Sequence, residues 1–289
     1  MSNIINAIIN LVKNPVINIT EYSVSHNRAN STGESLEEYI KDLFAGTVGV
    51  DDFNYRNRLI SETFSYLGNQ NNPPDSILRN GDAIEVKKIE NKFSALALNS
   101  SYPKAKLYSN SKMITSACKN CEDWTEKDII YCVGVVNKNR LSVLSMVYGI
   151  DYAASAENYE RIKHAISTGI KSISDIEFSK TNELGRVNRV DPLGITYLRI
   201  RGMWHIENPM KVFSYLYNDF SSDDFNLISV INKNKYYSCP AQDIEKLESL
   251  AKTTDSLKII DVLIKNPDNP AILKDAKLII FTYKGVRNV

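Results

Sequence analysis

The sequence predicts an α/β protein with one core, because helical and strand patterns alternate along the chain and the composition is that of a globular protein. The 289 residues are 43% hydrophobic and 24% charged, and a chain of this length buries a sizeable core without disulfides. We find no internal repeat and no convincing linker, so we expect a single domain over residues 1–289. Four irregularly spaced cysteines, no signal-like leader and no apolar run long enough for a bilayer predict a cytoplasmic protein without a membrane partner.

Two amphipathic helices are predicted in the N-terminal part. Apolar residues recur at helical spacing over Ile4–Lys13, and a second helix is predicted over residues 33–46. On the second helix, Glu37 borders the buried stripe, whereas Glu34 and Glu38 point the other way. A carboxylate at the edge of a buried face is costly unless a positive group meets it, so Glu37 requires such a partner.

A β-hairpin is predicted around Asn80-Gly81, because this dipeptide tolerates the positive φ that a tight hairpin turn requires at both positions. The turn would join a strand over residues 75–79 to a strand over residues 82–89. Upstream, the alternation over residues 58–67 indicates a strand, and the Asn, Gln and Pro of residues 68–74 indicate a loop.

The rest of the chain continues the alternation of helices and strands. Strands are predicted over residues 128–136, 141–150, 195–200, 225–231 and 277–283. Helices are predicted over residues 156–168, 209–217 and 241–251. Such an order favours a mixed sheet with helices packed on it.

Charge is unevenly distributed although the net charge is only +1. Residues 87–119 contain seven lysines and one acid, whereas residues 32–54 contain six acids and one lysine. An acidic patch beside a basic stretch suits a metal-dependent enzyme that acts on phosphates. On charge alone, two solvated faces of opposite sign remain the preferred explanation.

Asp75, Glu85 and Lys87 form the most informative pattern in the chain. Glu85 and Lys87 are two residues apart on one strand, so both side chains leave the same face, while Ile84 and Val86 can face the core. The hairpin folds Asp75 back toward Glu85, so two carboxylates converge beside an ammonium group. Mg²⁺ takes hard oxygen ligands, polarises phosphates and lowers the pKa of bound water, and Lys87 would position that water or stabilise the transition state.

A surface hairpin with ordinary charges would also produce this short pattern by chance. Three features together favour the catalytic interpretation. They are the Pro73-Pro74 entry to the strand, the Asn-Gly turn between the carboxylates, and the upstream helix with Glu37 at its buried edge.

The segment PPD followed by EVK resembles the PD-(D/E)xK nuclease motif. The longer strings GESLEEYIKDLFAG, FSYLGNQNNPPD, RNGDAIEVKKIE and ALALNSSYPKAKL are similar to NgoPII-like type II restriction endonucleases, over roughly the first 110 residues. This resemblance implies a restriction-endonuclease core with a central mixed sheet flanked by helices. It also implies Mg²⁺-dependent cleavage of double-stranded DNA at a short palindrome, with GGCC as the target. The expected products carry a 5′-phosphate and a 3′-hydroxyl, the expected enzyme is a homodimer, and a DNA methyltransferase is its genetic partner.

The resemblance also implies roles for individual residues. Asp75 and Glu85 match the metal-binding carboxylates and Lys87 matches the motif lysine, within a catalytic core of about residues 30–150. Glu37 resembles a first-helix glutamate that joins the metal shell and the catalytic group in many such nucleases. Only the face argument separates Glu37 from its neighbours Glu34 and Glu38.

Residues of about 180–211 are the expected base-reading region. Its candidate DNA contacts are Arg186, Asn188, Arg189, Arg199, Arg201 and His205. Arginine matches a guanine edge and asparagine an adenine edge, and Arg199 and Arg201 share one strand face. These side chains could equally bind phosphates, and pairing with Glu183, Asp191 or Glu207 is a further alternative.

Further contacts with the DNA backbone are expected near the catalytic hairpin, from Tyr102, Lys104, Lys106 and Lys88, with a solvated loop as the alternative for the 102–106 segment. Two other functions stay open at the level of sequence. One is a structure-selective or repair nuclease of the same fold, and the other is a DNA-binding protein with an inactive nuclease core.

Overall fold

The computed structural model describes residues 1–19, 22, 32–69, 72–98, 100–220 and 225–284. The helices are α1 (Ile4–Lys13), α2 (Thr32–Ala45), α3 (Phe53–Thr63), α4 (Ser116–Lys119), α5 (Gly149–Tyr152), α6 (Ala156–Lys171), α7 (Pro209–Val212), α8 (Lys233–Ser238) and α9 (Ala241–Thr253). The strands are β1 (Phe64–Asn69), β2 (Asn72–Leu78), β3 (Ala83–Ile89), β4 (Leu96–Ala97), β5 (Lys106–Tyr108), β6 (Glu126–Asn137), β7 (Arg140–Tyr148), β8 (Gly185–Asn188), β9 (Tyr197–Ile200), β10 (His205–Ile206), β11 (Phe225–Asn232), β12 (Leu257–Lys265) and β13 (Leu273–Tyr283). Over these residues, no helix combines the length and the apolar character that a membrane span requires.

The long strands form one central sheet in the order β1–β2–β3–β6–β7–β11–β13–β12, and β5 pairs with β6. Strands β3 and β6 run parallel, as do β7 and β11, while the other neighbours run antiparallel. The short ribbons β4–β10 and β8–β9 lie outside this sheet.

Each face of the sheet has its own hydrophobic cluster. On one face, α2 packs against β3 and β6, α9 packs against β12, and α1 contacts both helices. On the other face, the cluster includes Tyr152 of α5 and Met210 of α7. Burial of such side chains contributes roughly 25 cal/mol per Å² of apolar area. The predicted fold class is confirmed: a mixed sheet flanked by helices.

Helices α1 and α2 match the sequence-based predictions. Asn3 caps α1, because its side-chain oxygen accepts hydrogen bonds from the backbone N–H groups of Ile5 and Asn6 at 2.9 and 3.1 Å. After α2, Gly46 has φ of 69°, the left-handed conformation with which many helices end.

The strand predicted over residues 58–67 is wrong, because most of that segment belongs to helix α3. Asp52 caps this helix, and its buried side chains are Arg56 and Ile60. Arg56 is buried because its guanidinium group pairs with Asp42 and Glu38, both at 2.7 Å. A charged residue on the buried face hid the helical period from the sequence pattern.

Three smaller predictions also need correction. The loop predicted over residues 68–74 is partly strand, because β1 extends to Asn69 and β2 begins at Asn72, while residues 70 and 71 lie outside the described residues. Asn80 in the hairpin turn has φ of 54°, but Gly81 does not adopt a positive φ. The Leu78 N–H donates to the Asp82 carbonyl, so the loop between these two residues contains three residues. The helix predicted over residues 209–217 is limited to α7.

Edge strand β12 was not predicted. It pairs with β13 alone in the sheet order and exposes 41% of Ile260 and 52% of Leu263. Buried and exposed apolar side chains do not alternate along β12, so the segment lacks the sequence pattern by which a strand is recognised.

Candidate active site

The β2–β3 hairpin brings Asp75, Glu85 and Lys87 to one place, as predicted. Ser76 pairs with Ile84, so Asp75 follows opposite Glu85. The backbone N–H of Val86 donates to Asp75 Oδ2 at 2.6 Å, and Lys87 Nζ lies 2.6 Å from Glu85 Oε1. Ile84 and Val86 belong to the helix-covered core, so the predicted separation of the two strand faces is confirmed.

These three side chains line a cavity of about 230 Å³. Its other walls include Ser101, Tyr102 and Lys104, which follow β4, and Tyr131 of β6. Tyr131 is the register partner of Glu85 in the parallel β3–β6 pair, which explains why both side chains reach the same cavity. The cavity therefore combines carboxylates, lysines and hydroxyl groups in a small volume.

The charges of Asp75 and Lys87 are influenced by burial and by the neighbouring charged groups. Burial and the neighbouring carboxylate of Glu85 raise the pKa of Asp75 to about 7, against the opposing effects of Lys87 and the Val86 N–H. Burial lowers the pKa of Lys87, but Glu85 and Asp75 outweigh it and the pKa of Lys87 is raised. Two negative groups held this close require a cation to be ionised together.

Glu37 lies on α2, which packs against β3. Burial raises the pKa of Glu37, while Lys41 and Lys87 oppose the rise, and Glu37 in turn acts on Asp75. Glu38 is turned elsewhere, because it binds Lys41 at 2.8 Å and Arg56 at 2.7 Å. The structure thus places Glu37, rather than Glu38, within electrostatic reach of the hairpin.

The predicted base-reading arginines share a single carboxylate. Glu183 Oε1 accepts from Arg199 Nη2 at 2.7 Å and from Arg201 Nε at 2.6 Å, and Glu183 Oε2 accepts from Arg199 Nε at 2.9 Å. Arg199 lies on β9 and Arg201 lies just beyond its end, and the two side chains are on the same face of the strand, as expected. The pairing with Glu183, one of the alternatives from the sequence, is present, and both arginines remain exposed on the surface.

The remaining candidates of this region lie around the β8–β9 ribbon. Arg186 on β8 donates to Asn188 Oδ1 at 3.0 Å and lies 5.2 Å from the centre of the Tyr197 ring. Arg189 is exposed with φ of 53°, and His205 is exposed on the separate β4–β10 ribbon. The structure does not bring these groups to the cavity of Asp75, Glu85 and Lys87.

The four predicted backbone contacts have different surroundings. Lys104 lines the cavity, and Tyr102 lines it while donating its hydroxyl to Glu160 at 2.8 Å. Lys106 is paired with Glu126 at 2.5 Å, and Lys88 leaves β3 on the face opposite Lys87, 3.6 Å from Glu90. Tyr102, Lys104 and Lys106 also line a common neighbouring cavity, whereas Lys88 does not, so only three of the four share a surface.

The family model for the NgoPII restriction endonuclease matches residues 2–265. The chain belongs to the NgoPII restriction endonuclease family. It is 56% identical over 280 residues to the type II restriction enzyme NgoPII of Neisseria gonorrhoeae, which covers 96% of this chain and 99% of that enzyme. No solved structure matches the chain.

The family match extends well beyond the first 110 residues, which contain the segments similar to NgoPII-like enzymes. It includes the whole of residues 180–211. The candidate DNA contacts around β8 and β9 therefore lie inside the part of the chain shared with this restriction endonuclease family.

The donor set of the cavity fits the divalent metal that the family implies. Among the described residues, no group of three or more His, Cys, Asp or Glu side chains lies close enough together to hold a metal ion. Asp75 and Glu85 supply two hard oxygen donors, and Glu85 Oε2 is buried without a hydrogen-bond partner. One or two carboxylates are the usual protein share of a Mg²⁺ shell, with water and phosphate filling the rest.

Tyr131 and Ser101 were not identified from the sequence, although both line the cavity of this family member. Tyr131 lay within a predicted strand, but only the pairing of β3 with β6 places it beside Glu85. Ser101 lies in a segment without periodicity. A polar residue within an otherwise apolar strand was the available signal for Tyr131, and it does not reveal which strand is the neighbour.

Proposed function

We propose that this protein is a type II restriction endonuclease that hydrolyses phosphodiester bonds of double-stranded DNA at a short palindromic site. One observation carries the proposal: Asp75, Glu85 and Lys87 line a single cavity beside a β-hairpin, with Glu37 in electrostatic reach. Membership of the NgoPII restriction endonuclease family supports it.

Mg²⁺ is the proposed cofactor, and Asp75 and Glu85 are its proposed ligands. Glu37, which does not line the cavity, would join the shell as an additional member after its side chain shifts toward the metal. The bound metal would polarise the phosphate and lower the pKa of a water molecule. Lys87 would release part of its interaction with Glu85 and direct its ammonium group toward the attacking water or the charge that develops on the phosphate. The cavity walls would exclude bulk water from these charges.

The finer features of the reaction follow from the family resemblance. We propose GGCC as the target, products with a 5′-phosphate and a 3′-hydroxyl, and a homodimer whose two-fold symmetry matches the palindrome. A DNA methyltransferase would protect the host genome in the cytoplasm. Within the single domain of residues 1–289, residues of about 30–150 would form the catalytic core and residues of about 180–211 the base-reading region.

Digestion of a plasmid of known sequence tests this function. With Mg²⁺, the native protein is expected to produce discrete fragments whose mapped ends share one palindrome, whereas EDTA prevents cleavage. A plasmid methylated at GGCC is expected to resist. Cleavage at junctions or lesions without a common sequence would favour a structure-selective nuclease. Binding to one sequence without cleavage would favour an inactive DNA-binding protein.

The exposed arginines held by Glu183 are expected to discriminate bases. Arg199→Ala and Arg201→Ala should each weaken binding to the cognate duplex by about 1–3 kcal/mol and relax specificity, because a guanidinium fork matches a guanine edge. Glu183 fixes both groups in advance, which lowers the entropy lost on binding. The measurement is affinity for cognate and single-mismatch duplexes with Ca²⁺ in place of Mg²⁺.

Arg58→Ala is the matched control, since Arg58 is an exposed arginine on α3 paired only loosely with Glu62 at 3.9 Å. Equal weakening of cognate and mismatched duplexes would make the two arginines backbone clamps. The base readers would then have to be sought among Arg186, Asn188, Arg189 and His205.

A further inference from the structure

Lys104 is a second lysine of the cavity that holds Asp75, Glu85 and Lys87. Its Nζ donates to Ser101 Oγ at 2.5 Å and lies 5.2 Å from the centre of the Tyr102 ring. Burial lowers the pKa of Lys104, and the charge of Glu85 opposes that change. The ammonium group is thus drawn into the cavity rather than extended into solvent.

The backbone of Lys104 is fixed to the strand beside Glu85. The Tyr131 hydroxyl accepts from the Lys104 backbone N–H at 2.8 Å and donates to the Lys104 carbonyl at 3.2 Å. Tyr131 pairs in register with Glu85. Because both polar groups of one residue are held by a single buried side chain, the position of Lys104 relative to the carboxylates is set before any ligand binds.

The two lysines of the cavity differ in how their charge is compensated. Lys87 lies 2.6 Å from Glu85, so its charge is balanced by a carboxylate. The side-chain hydrogen bond of Lys104 goes to a neutral hydroxyl, which does not balance a positive charge. An entering phosphodiester carries a negative charge that a lysine ammonium group binds well as a point charge.

We propose that Lys104 binds the phosphate group that is cleaved, and so acts as a second cation on the reacting group beside Lys87. This role rests on the proposed function and makes it more specific, because Lys104 then contacts the reacting phosphate rather than a distant part of the DNA backbone. Ser101 holds the ammonium group in the cavity until DNA replaces or shares that hydrogen bond.

A purely structural role is the alternative. Tyr102 stacks on Tyr159 with ring centres 5.3 Å apart and meets Trp204 edge-on at 6.1 Å, and the Lys104 ammonium group contributes a cation–π contact to this cluster. In that case the loss of Lys104 would lower thermal stability without a specific effect on the reacting phosphate.

Lys246 provides the matched control. It is an exposed lysine on α9 whose Nζ lies 3.5 Å from Asp243, and it does not line the cavity. We compare Lys104→Met and Lys246→Met by cleavage of a cognate duplex with Mg²⁺ under single-turnover conditions at saturating enzyme. The expected loss is about 10²–10³-fold for Lys104→Met, with a rate close to native for Lys246→Met and partial recovery in Lys104→Arg.

A binding measurement then locates the contact. With Ca²⁺, affinity is compared for a normal duplex and for one whose cleaved phosphate is a neutral methylphosphonate. Replacing the charged phosphate with the neutral group should weaken DNA binding by the native protein and by Lys246→Met. It should weaken binding by Lys104→Met much less, because that variant already lacks the lysine that would pair with the phosphate. Thermal melting shows whether the variants are folded. If Lys104→Met is destabilised, Lys104→Gln replaces it and retains a polar group facing Ser101.

A native cleavage rate in Lys104→Met would overturn the proposal. An equal methylphosphonate penalty in native protein and Lys104→Met would overturn it too, since the lysine would then contact another part of the DNA. If the native protein itself cuts no duplex with Mg²⁺, it is the proposed nuclease function that fails, and the two failures are therefore distinguishable.

Discussion

Asp75→Asn and Glu85→Gln are each expected to reduce DNA cleavage by more than about 100-fold while sequence-specific binding stays intact or becomes tighter. Either change replaces a negatively charged carboxylate of the proposed metal site with a neutral amide. It also removes the repulsion between the two carboxylates, which adds to the effect of burial in raising the pKa of Asp75, and it removes repulsion toward the DNA phosphate. The measurements are cleavage with Mg²⁺ and a gel shift without metal.

Glu90→Gln is the control, because Glu90 directly follows β3 but is an exposed carboxylate near Lys88. A second readout does not depend on activity. Mg²⁺ should raise the melting temperature of the native protein and of Glu90→Gln, and less so that of Asp75→Asn, because a ligand that binds the folded state stabilises it. Substantial cleavage by Asp75→Asn or Glu85→Gln would exclude that residue from the metal shell.

Lys87→Ala is expected to lose more than about 100-fold in cleavage rate, whereas Lys88→Ala should lose little. Adjacent residues of a strand face opposite ways, so only Lys87 reaches the cavity, where it lies 2.6 Å from Glu85. Lys88 lies near Glu90 on the other face, where a contact with the DNA backbone would affect affinity but not the chemical step.

The comparison uses single-turnover cleavage at saturating enzyme, so that weaker DNA binding does not reduce the rate. Circular dichroism and thermal melting accompany it, since removal of Lys87 leaves Glu85 partly buried without its cation and lowers stability. Lys87→Arg tests whether a positive charge at this position is sufficient. Equal losses for Lys87→Ala and Lys88→Ala would show that the assignment of the two faces of β3 is wrong.

Local rules explain why the sequence predicted the β2–β3 hairpin. A period of two places Glu85 and Lys87 on one face, and a turn near Asn80 returns the chain so that Asp75 lies opposite Glu85. The helical period likewise placed Glu37 at the edge of the buried face of α2 and Glu38 away from that face. The conformation of Gly81, the length of the turn and the start of β2 at Asn72 differed from the expectation.

Helix α3 shows where local rules fail. Its buried face depends on Arg56, whose burial is compensated by Asp42 and Glu38 from helix α2. A search for hydrophobic periodicity treats a charged residue as exposed. The buried face of α3 was therefore not recognised, and the segment resembled a strand. Partners that are distant along the chain decided the burial of Arg56, and no window of neighbouring residues contains that information.

The sequence by itself determined the family, the central mixed sheet with its helices, and the face shared by Asp75, Glu85 and Lys87, because these depend on motif strings and on periods of a few residues. Only the tertiary structure decided that β6 runs parallel to β3, which brings Tyr131 beside Glu85 and anchors Lys104 in the cavity. It also decided that Lys106 is neutralised by Glu126 and that Glu183 binds both Arg199 and Arg201. These contacts join side chains from separate elements, and the free energy that selects them comes from packing and charge pairing between segments rather than from local propensity.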